Sequence, residues 1–378
     1  MNISPWIAAL LVAAVAGCGA STDSGEAELQ RDTDAIRDLG VTGVQVRLIV
    51  EDGEQIVATS GVADTTTDEP VDPDGSFRIG SDTKPFVATV AMQLVGEGKL
   101  GLDDPVEQHL PGVVAGNGND GNAITVRHLL QHTSGIHDDY PGYDSPEQYL
   151  VMRFRPYPPE ELVARAMRHR PDFAPGTAWS YSNTGYMLVA MIIERVTGRP
   201  WYREVDARIV RPLGLEHTVF AGADPGLPEP HARGYQRFAP GGEPVDVTEL
   251  TDANASGGLI ATTADLNRFF RALLDGTLLA PAELAQMQQT VPVGEQVEQL
   301  WPGGRYGLGL RVRPLSCGGV YWGHSGGGTG FATEDGVTAD GRRSVVVSMS
   351  STLTDSLDSI IGQQHAADAL VDRALCRR

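Results

Sequence analysis

The sequence predicts an α/β fold of the α+β type: an antiparallel sheet built from the N- and C-terminal segments, flanked by helices, with an all-helical lobe inserted between them. β-Rich runs lie near both ends of the chain, and helical segments separated by Pro, Gly and Asp loops fill the middle. The length of 378 residues exceeds what one compact core usually organises. We therefore expect an α/β lobe from residues 31–109 and 298–378 and a mainly helical lobe from residues 110–297.

The first twenty residues have the pattern of an export signal. Residues 7–17 are apolar, are too few to span a bilayer, and end in small residues before Cys18. Residues 1–20 are therefore predicted to be a signal peptide, and the protein is predicted to be exported.

Cys18 suggests a second way to process this segment. Residues 15–18 (Val-Ala-Gly-Cys) fit a bacterial lipobox, in which the cysteine is lipidated after cleavage. The alternative is an ordinary signal peptide cut near Ala20, since residues 1–5 lack the usual Lys or Arg. We expect a protein that is secreted or anchored by lipid at the outer face of a bacterial membrane, with residues 21–30 as a polar tether.

The N-terminal elements follow from local pattern. Residues 28–39 are typical of a short helix, and residues 44–50 and 55–63 are β-rich runs. Asp52-Gly53 between these runs is a strong hairpin signal.

The remaining elements support the same fold. Helices are predicted at residues 125–131, 159–169, 184–197 and 263–275. Strands are predicted at residues 306–313, 319–323, 330–335 and 344–350, with a hairpin at Asp340-Gly341 and a terminal helix over residues 355–375.

Composition narrows the class of partner. The chain is 41% hydrophobic and 21% charged, which is ordinary for a folded protein. Its formal net charge of −20 would repel nucleic acid phosphates and anionic lipids. We expect no nucleic acid partner, and membrane contact only through a lipid at Cys18.

Besides Cys18, the chain contains Cys317 and Cys376. Two cysteines in an exported domain are best interpreted as one disulfide, which would tie the C-terminal helix to a strand. The alternative is two unpaired thiols.

Ser81 and Lys84 form the first candidate catalytic pair. Apolar residues recur at helical spacing from Val87 to Val95, so Ser81 lies at a helix N-terminus. A spacing of three places the hydroxyl and the amine on one face of the first turn. The partial positive charge of the helix N-terminus favours a serine alkoxide and a neutral lysine. Lys84 and Lys99 are the only lysines among 29 basic residues, and a helix start with an exposed lysine is the alternative.

Tyr181 and Asn183 lie in a loop just before an apolar helix. A phenolate at Tyr181 would be favoured near a lysine cation, which makes Tyr181 a candidate general base. Asn183 could donate a hydrogen bond to a substrate carbonyl. A turn with no catalytic role is the alternative.

A third element, His324-Ser325-Gly326-Gly327, follows a predicted strand. Its glycines leave backbone N–H groups free to face a ligand, although a glycine-rich hairpin would have the same sequence.

Taken in order, Ser-x-x-Lys, Tyr-x-Asn and His-Ser-Gly resemble the motifs of the class C β-lactamase and D-alanyl-D-alanine carboxypeptidase family. The resemblance also includes residues 77–84, 128–135, 257–265 and 306–330, and it is closest to the soluble secreted carboxypeptidases. It implies a β-lactamase/transpeptidase-like fold.

The resemblance implies a role for each motif residue. Ser81 would be the nucleophile, Lys84 and Tyr181 the proton-transfer pair, and Asn183 a substrate contact. His324 would stand where β-lactamases carry lysine. The N–H groups of Ser81 and Gly327 would form the oxyanion hole.

The resemblance also suggests a substrate. Arg311 and Ser325 match positions that hold the terminal carboxylate of a D-Ala-D-Ala peptide, whereas Gly327 replaces a second hydroxyl there. We expect a penicillin-binding D,D-carboxypeptidase that takes a small peptide or ester, is acylated by β-lactams, is a monomer, and needs no metal or cofactor. The alternatives are an esterase or amidase for small esters or D-amino-acid amides, and a sensor without turnover.

Two other interpretations of the motifs are disfavoured. Residues 323–327 match the Gly-x-Ser-x-Gly nucleophile elbow, but residues 329–333 are strand-like where that motif needs a helix. His128 and His132 lack the intervening glutamate of a zinc protease helix, so we expect them to cap and pack a loop.

Overall fold

Alternating β-branched side chains near both ends of the chain form strands. The computed structural model describes residues 20–377, so the predicted signal peptide cleavage and the lipobox at Cys18 lie outside the described residues. The strands are β1 (Gly43–Ile49), β2 (Gln55–Asp64), β3 (Glu69–Pro70), β4 (Phe77–Arg78), β5 (Ala115–Gly116), β6 (Asn119–Asp120), β7 (Val219–Phe220), β8 (Tyr235–Arg237), β9 (Val245–Asp246), β10 (Leu259–Ala261), β11 (Val291–Pro292), β12 (Arg305–Tyr306), β13 (Arg311–Pro314), β14 (Val320–Gly323), β15 (Ser325–Gly328), β16 (Phe331–Thr338), β17 (Ser344–Met349) and β18 (Ser351–Leu353).

Ten of these strands form one antiparallel sheet. Its order is β11-β12-β13-β14-β16-β17-β1-β2-β3, and β15 pairs with β16 beside this path. In the middle of the sheet, Val46 of β1 lies opposite Val347 of β17 on one side and Ala58 of β2 on the other. Strands from both ends of the chain therefore share one sheet, which confirms the predicted fold class.

Helices cover the sheet and fill the middle of the chain. They are α1 (Ala20–Arg37), α2 (Thr83–Gly96), α3 (Val106–His109), α4 (Val126–Leu130), α5 (Pro146–Met152), α6 (Pro159–Ala166), α7 (Asn183–Thr197), α8 (Trp201–Val205), α9 (Arg211–Leu213), α10 (Thr263–Leu274), α11 (Pro281–Met287), α12 (Glu295–Glu298) and α13 (Leu357–Cys376). None of the helices within residues 20–377 is both long and apolar enough to cross a membrane.

Each face of the central strands packs against a different group of helices, because successive side chains point to opposite faces. Val345 and Val347 of β17 belong to the core formed with α1 and α13, which includes Leu29 and Leu370. Val346, between them, belongs to the larger core that contains α2, α7 and α10. The sheet and the helical segment thus share this larger core, and the predicted lobe boundaries at residues 109 and 297 stay predictions.

The N-terminal helix corrects one expectation. α1 begins at Ala20, so residues 21–30 form helix and the predicted tether is wrong for them. Leu29 and Ile36, seven residues apart on one face, are fully buried against the sheet. Apolar burial therefore keeps this polar segment helical.

A second correction concerns residues 306–313, which were expected to form one strand. They form the hairpin of β12 and β13, with Tyr306 opposite Arg311. Gly309 has a φ of +83°, a conformation that glycine adopts readily, and the Gly307 N–H donates to the Leu310 carbonyl at 2.7 Å.

The disulfide between Cys317 and Cys376 is present, with a Cα–Cα distance of 5.7 Å. It joins the β13–β14 turn to the last residue of α13. The predicted pairing is confirmed.

Candidate active site

Ser81 lies in a 3₁₀ turn, Gly80–Asp82, which leads directly into α2. Gly80 has a φ of +51°, and a Cβ built there would lie 2.9 Å from the Gly327 carbonyl oxygen and 3.0 Å from its nitrogen. A side chain at position 80 would therefore be strained and would push β15 away. Glycine lets the nucleophile turn approach the backbone of β15 closely.

Lys84 is completely buried one turn after Ser81. Its Nζ lies 3.0 Å from Ser81 Oγ, 2.9 Å from Asn183 Oδ1 and 2.9 Å from the Ser256 carbonyl oxygen. The last two can only accept, whereas the hydroxyl of Ser81 can donate or accept. A neutral Lys84 therefore donates to Asn183 and Ser256 and can direct its lone pair at the Ser81 proton.

The environment of Lys84 also makes the neutral amine accessible. Burial lowers the pKa of Lys84 to about 7, and the carboxyl groups of Asp138, Asp252 and Asp82 oppose this change. At neutral pH a large fraction of the amine can accept a proton.

Asn183 begins α7 and is held between the Lys84 amine and the Asp138 carboxylate. Its Oδ1 accepts from Lys84, and its Nδ2 donates to Asp138 Oδ2 at 2.9 Å. Asp138 Oδ1 also accepts from the Thr184 N–H at 2.8 Å, at the positive end of the helix. Asn183 lines the cleft as predicted, but one amide donor is already used, and Asp138 is a positioning residue that sequence reasoning missed.

Tyr181 also lines the cleft, with its ring centroid 4.7 Å from Lys84 Nζ. Burial raises the pKa of Tyr181 well above its usual value, while a hydrogen bond with Ser81 lowers it. Burial outweighs the favourable effect that was expected from a nearby lysine cation. Tyr181 is therefore a neutral phenol that can donate a proton, and its role as a general base stays a prediction.

Gly327 lies where an oxyanion hole is expected. Gly328 opposite Phe331 closes the β15–β16 hairpin, so Gly327 opposite Ala332 occupies the adjacent, non-hydrogen-bonded pair. The Gly327 N–H therefore points away from β16, towards the turn that carries Ser81. Because Ser325 lies in β15 and is followed by strand β16, the nucleophile-elbow alternative is excluded.

Three predicted substrate contacts do not line the cleft: His324, Ser325 and Arg311. His324 is buried, and its Nε2 lies 2.8 Å from the Tyr306 hydroxyl. Burial lowers the pKa of His324 well below its usual value, so its ring is neutral. Ser325 is half-buried in β15.

Arg311 is the clearest correction among the predicted site residues. Its side chain is 1% exposed, pairs with the fully buried Glu334 and donates to the His324 carbonyl at 3.1 Å. A buried charge needs such a partner, and Glu334 provides it. The Nη2 atom of Arg311 is therefore used inside the protein, whereas its Nε and Nη1 have no hydrogen-bond partner within the described residues.

The cleft has a volume of about 410 Å³. Ser81, Tyr181 and Asn183 lie together in it, between tyrosines of residues 140–157 and the loop of residues 250–257. Among its lining residues within the described chain, Asp252 has the only charged side chain. His128 and His132 lie elsewhere: His128 caps α4, and His132 Nδ1 accepts from the Ser182 N–H at 3.1 Å.

Comparison with known proteins identifies the family. A family model described as Beta-lactamase matches residues 29–369. The chain belongs to the beta-lactamase family. The protein is therefore a serine hydrolase of the beta-lactamase fold.

Two solved structures are similar over nearly their whole length. A D-stereospecific amidohydrolase from Streptomyces sp. is 39% identical, with a TM-score of 0.81 over 90% of this chain and 98% of that one. A D-amino acid amidase from Ochrobactrum anthropi SV3, in complex with L-phenylalanine amide, is 28% identical, with a TM-score of 0.80 over 93% and 98%.

Curated relatives match over a smaller share of their length. Penicillin-binding protein 4 of Amycolatopsis lactamdurans is 32% identical over 70% of this chain and 70% of its own. Across the first curated relatives, the matched segment spans 54% to 70% of the relative.

Proposed function

We propose that this protein hydrolyses amides and esters of D-amino acids through an acyl-enzyme on Ser81. One observation carries the proposal: the cleft that exposes Ser81 beside Tyr181 has no cationic side chain among its described lining residues, and its one charge is the carboxylate of Asp252. Such a cleft suits an acyl group without a terminal carboxylate. Similarity to a D-stereospecific amidohydrolase supports the choice of D-amino acids.

Acylation begins with proton transfer from Ser81 to Lys84. The neutral amine, 3.0 Å from Ser81 Oγ, accepts the hydroxyl proton as the oxygen attacks the substrate carbonyl carbon. The carbonyl π bond breaks, and its oxygen takes the negative charge between the N–H groups of Ser81 and Gly327.

Tyr181 completes the step by protonating the leaving group. The carbon–nitrogen bond breaks as the phenol gives its proton to the departing amine, and Lys84 returns a proton to Tyr181. Water then attacks the acyl-enzyme, loses a proton to the same pair, and releases the acid and Ser81. An alcohol is a better leaving group than an amine, so esters depend less on Tyr181.

A D,D-carboxypeptidase is a weaker candidate. Its substrate places a carboxylate near the scissile bond, but Arg311 is already paired with Glu334 beneath the sheet. Asp252 would instead repel the carboxylate. β-Lactams are still expected to acylate Ser81, because acylation needs only the nucleophile, the proton pair and the oxyanion donors.

Paired kinetics test the proposal. D-Phenylalanine amide and a D-alanine ester should be hydrolysed, the L-amide much more slowly, and Ser81→Ala should abolish each reaction. A fluorophosphonate should label Ser81, as peptide mapping would show. A label on Ser325 would contradict the assignment of the nucleophile.

The carboxypeptidase alternative has its own test. A peptide ending in D-Ala-D-Ala should react no faster than the same peptide with an amidated C-terminus. A kcat/KM that is about tenfold or more higher for the peptide with the free carboxylate, with this preference lost in Arg311→Ala, would support the carboxypeptidase function instead.

We also propose that residues 1–20 direct export and that Cys18 accepts a lipid, in a protein that functions as a monomer. Metabolic labelling with palmitate should mark the wild type and not Cys18→Ser, and light scattering should give the monomer mass. Equal labelling of wild type and Cys18→Ser would show that Cys18 is not lipidated and would favour an ordinary signal peptide.

A further inference from the structure

One oxygen of Asp252 is available to a ligand in the cleft. Its Oδ1 accepts from the Tyr140 hydroxyl at 3.3 Å and from Asn254 Nδ2. Within residues 20–377, Oδ2 accepts no hydrogen bond, and no Arg or Lys lies within ion-pair distance of the carboxylate. Asp252 lines the cleft, so its carboxylate is accessible from there. The carboxylate is therefore oriented by two donors and still lacks a cationic partner.

The same loop links Asp252 to the catalytic amine. Asn254 Oδ1 accepts from the Ser256 N–H at 2.9 Å and from its hydroxyl at 2.7 Å. The Ser256 carbonyl in turn accepts from Lys84 Nζ at 2.9 Å. A continuous set of hydrogen bonds thus holds the carboxylate at a set position relative to Lys84.

Asp252 also lies close to the nucleophile turn. A Cβ built at Gly257 would lie 3.5 Å from Asp252 Oδ2 and 3.7 Å from the carbonyl carbon of Gly80, the residue before Ser81. The Asp252 carboxylate and the backbone of Gly80 are therefore both within van der Waals distance of the space beside Gly257. A group bonded to the carbon next to a carbonyl attacked by Ser81 would be within reach of the carboxylate.

The electrostatic surroundings favour a cation there. Burial raises the pKa of Asp252, and the buried Arg78 opposes this change without reaching the carboxylate. Arg78 Nη2 instead donates to the Pro225 carbonyl at 2.6 Å. Arg78 is thus occupied by a backbone carbonyl and does not pair with Asp252. A partly desolvated carboxylate without such a pair is strongly stabilised by a charged hydrogen-bond donor.

We propose that Asp252 binds the α-ammonium group of the substrate, so that the enzyme selects D-amino acid amides and esters with a free amino group over N-acylated ones. This proposal rests on the proposed function, because it supposes that the acyl carbon is attacked by Ser81. The ammonium would donate to Asp252 Oδ2, while the side chain of the amino acid would occupy the tyrosine-lined part of the cleft.

The test compares two matched substrates, D-phenylalanine para-nitroanilide and phenylpropionyl para-nitroanilide, which lacks only the amino group. Wild type should prefer the amine, and Asp252→Asn should lower the ratio of the two kcat/KM values by about 10- to 100-fold, as expected for a charged hydrogen bond. Asp252→Glu should retain more of the ratio than Asp252→Asn does.

Asp144→Asn is the matched control. It removes one negative charge from an exposed residue next to Tyr143 that does not line the cleft, so the ratio should stay at the wild-type value. A wild type without preference for the amine, or an Asp252→Asn ratio like that of wild type, would overturn the proposal. Equal losses in Asp252→Glu and Asp252→Asn would also overturn it, because the carboxylate would then not be what is recognised.

A binding measurement separates this proposal from the proposed function. Calorimetry with D-phenylalanine amide and Ser81→Ala should show binding that weakens when Asp252→Asn is added. Failure of the fluorophosphonate to label Ser81 would contradict the catalytic mechanism alone, whereas binding indifferent to Asp252 would contradict the ammonium site alone.

Discussion

Asp82 and Lys84 belong to one helical turn, but their side chains enter two buried clusters of opposite character. On the cleft side, Lys84 Nζ contacts Ser81, Asn183 and Ser256 at hydrogen-bond distance. On the sheet side, neither carboxylate oxygen of Asp82 has a hydrogen-bond donor within residues 20–377, and the carboxyl of Asp335 lies beside it. One turn thus places an amine behind Ser81, beside the cleft, and an acid against the sheet.

The comparison shows how burial acts on opposite charges. Burial lowers the pKa of Lys84 to about 7 and raises that of Asp335 to about 7, and burial together with Asp335 raises that of Asp82. Both clusters are pushed towards neutrality. Lys84 has hydrogen-bond partners both as an amine and as an ammonium group. The carboxyl groups of Asp82 and Asp335 can form a hydrogen bond with each other only when one of them is protonated.

The sheet-side cluster lies where β15 meets the nucleophile turn. A Cβ at Gly326 would collide with the Ile79 carbonyl oxygen and would lie 3.1 Å from Asp82 Oδ2. The His324 N–H donates to Asp335 Oδ1 at 2.9 Å. The acid pair therefore lies against the segment that leads into β15, whereas Lys84 contacts Ser81.

The largest expected effect is that of Lys84→Met. Loss of the proton acceptor should lower kcat/KM by about 10³-fold or more, because nucleophile and base act as a unit. In wild type, kcat/KM should rise with pH around a midpoint near 7, since protonated Lys84 cannot accept the serine proton. Stopped-flow acylation by a nitrophenyl ester measures both the loss in Lys84→Met and the pH profile of wild type. A wild-type rate in Lys84→Met would show that Lys84, like the acid pair, has no catalytic role.

Tyr181→Phe should lower kcat by about 10²-fold for an amide and by less for an ester. The phenol protonates the leaving group, and an amine needs that proton more than a nitrophenolate does. Steady-state kinetics on a D-amino acid amide and its ester give the two losses. Equal losses would assign Tyr181 to positioning Ser81 rather than to proton transfer.

The acid pair should make stability fall as pH rises. The native state binds more protons than the unfolded chain between about pH 4 and the raised pKa of about 7, so the unfolding free energy decreases across that range. The loss should be a few kcal/mol at most. Urea unfolding at a series of pH values should show this slope in wild type and a smaller one in Asp335→Asn.

Lys84 should have the opposite effect at higher pH. Its lowered pKa means that the unfolded chain binds more protons between about pH 7 and 10.5, so stability should rise there. Lys84→Met should remove this rise and leave the fall below pH 7. Loss of both slopes in one variant would show that the two clusters titrate as one.

The smallest effect expected is that of Gly80→Ala measured against Gly98→Ala. Both glycines have positive φ, +51° and +67°, but a Cβ at Gly98 meets nothing within 4 Å. Gly98→Ala should therefore cost only about 1–2 kcal/mol of backbone strain. Gly80→Ala should lower the free energy of unfolding by more than this and should also slow acylation, because the new side chain displaces Gly327. Equal losses of stability in the two variants would mean that β15 can shift without strain.

Sequence pattern was sufficient where the signal is local. The α2 start near Ser81, the hairpin at Asp52-Gly53 and the α7 start near Asn183 each depend on spacing within one element, and each is present in the structure. Grouping Ser81, Lys84 and Tyr181 required the resemblance to a known family, but the residues themselves could be named without a structure.

The sequence by itself determined the fold class and the order of the motifs. Only the tertiary structure decided that Arg311 faces Glu334, that Asp138 orients Asn183 and that Asp252 faces the cleft. The reason is physical: the direction of a strand or loop side chain depends on which distant segments pack beside it. Arg311 could be placed only once β13 and β16 occupied one sheet, and Asp252 only once its loop had packed against Lys84.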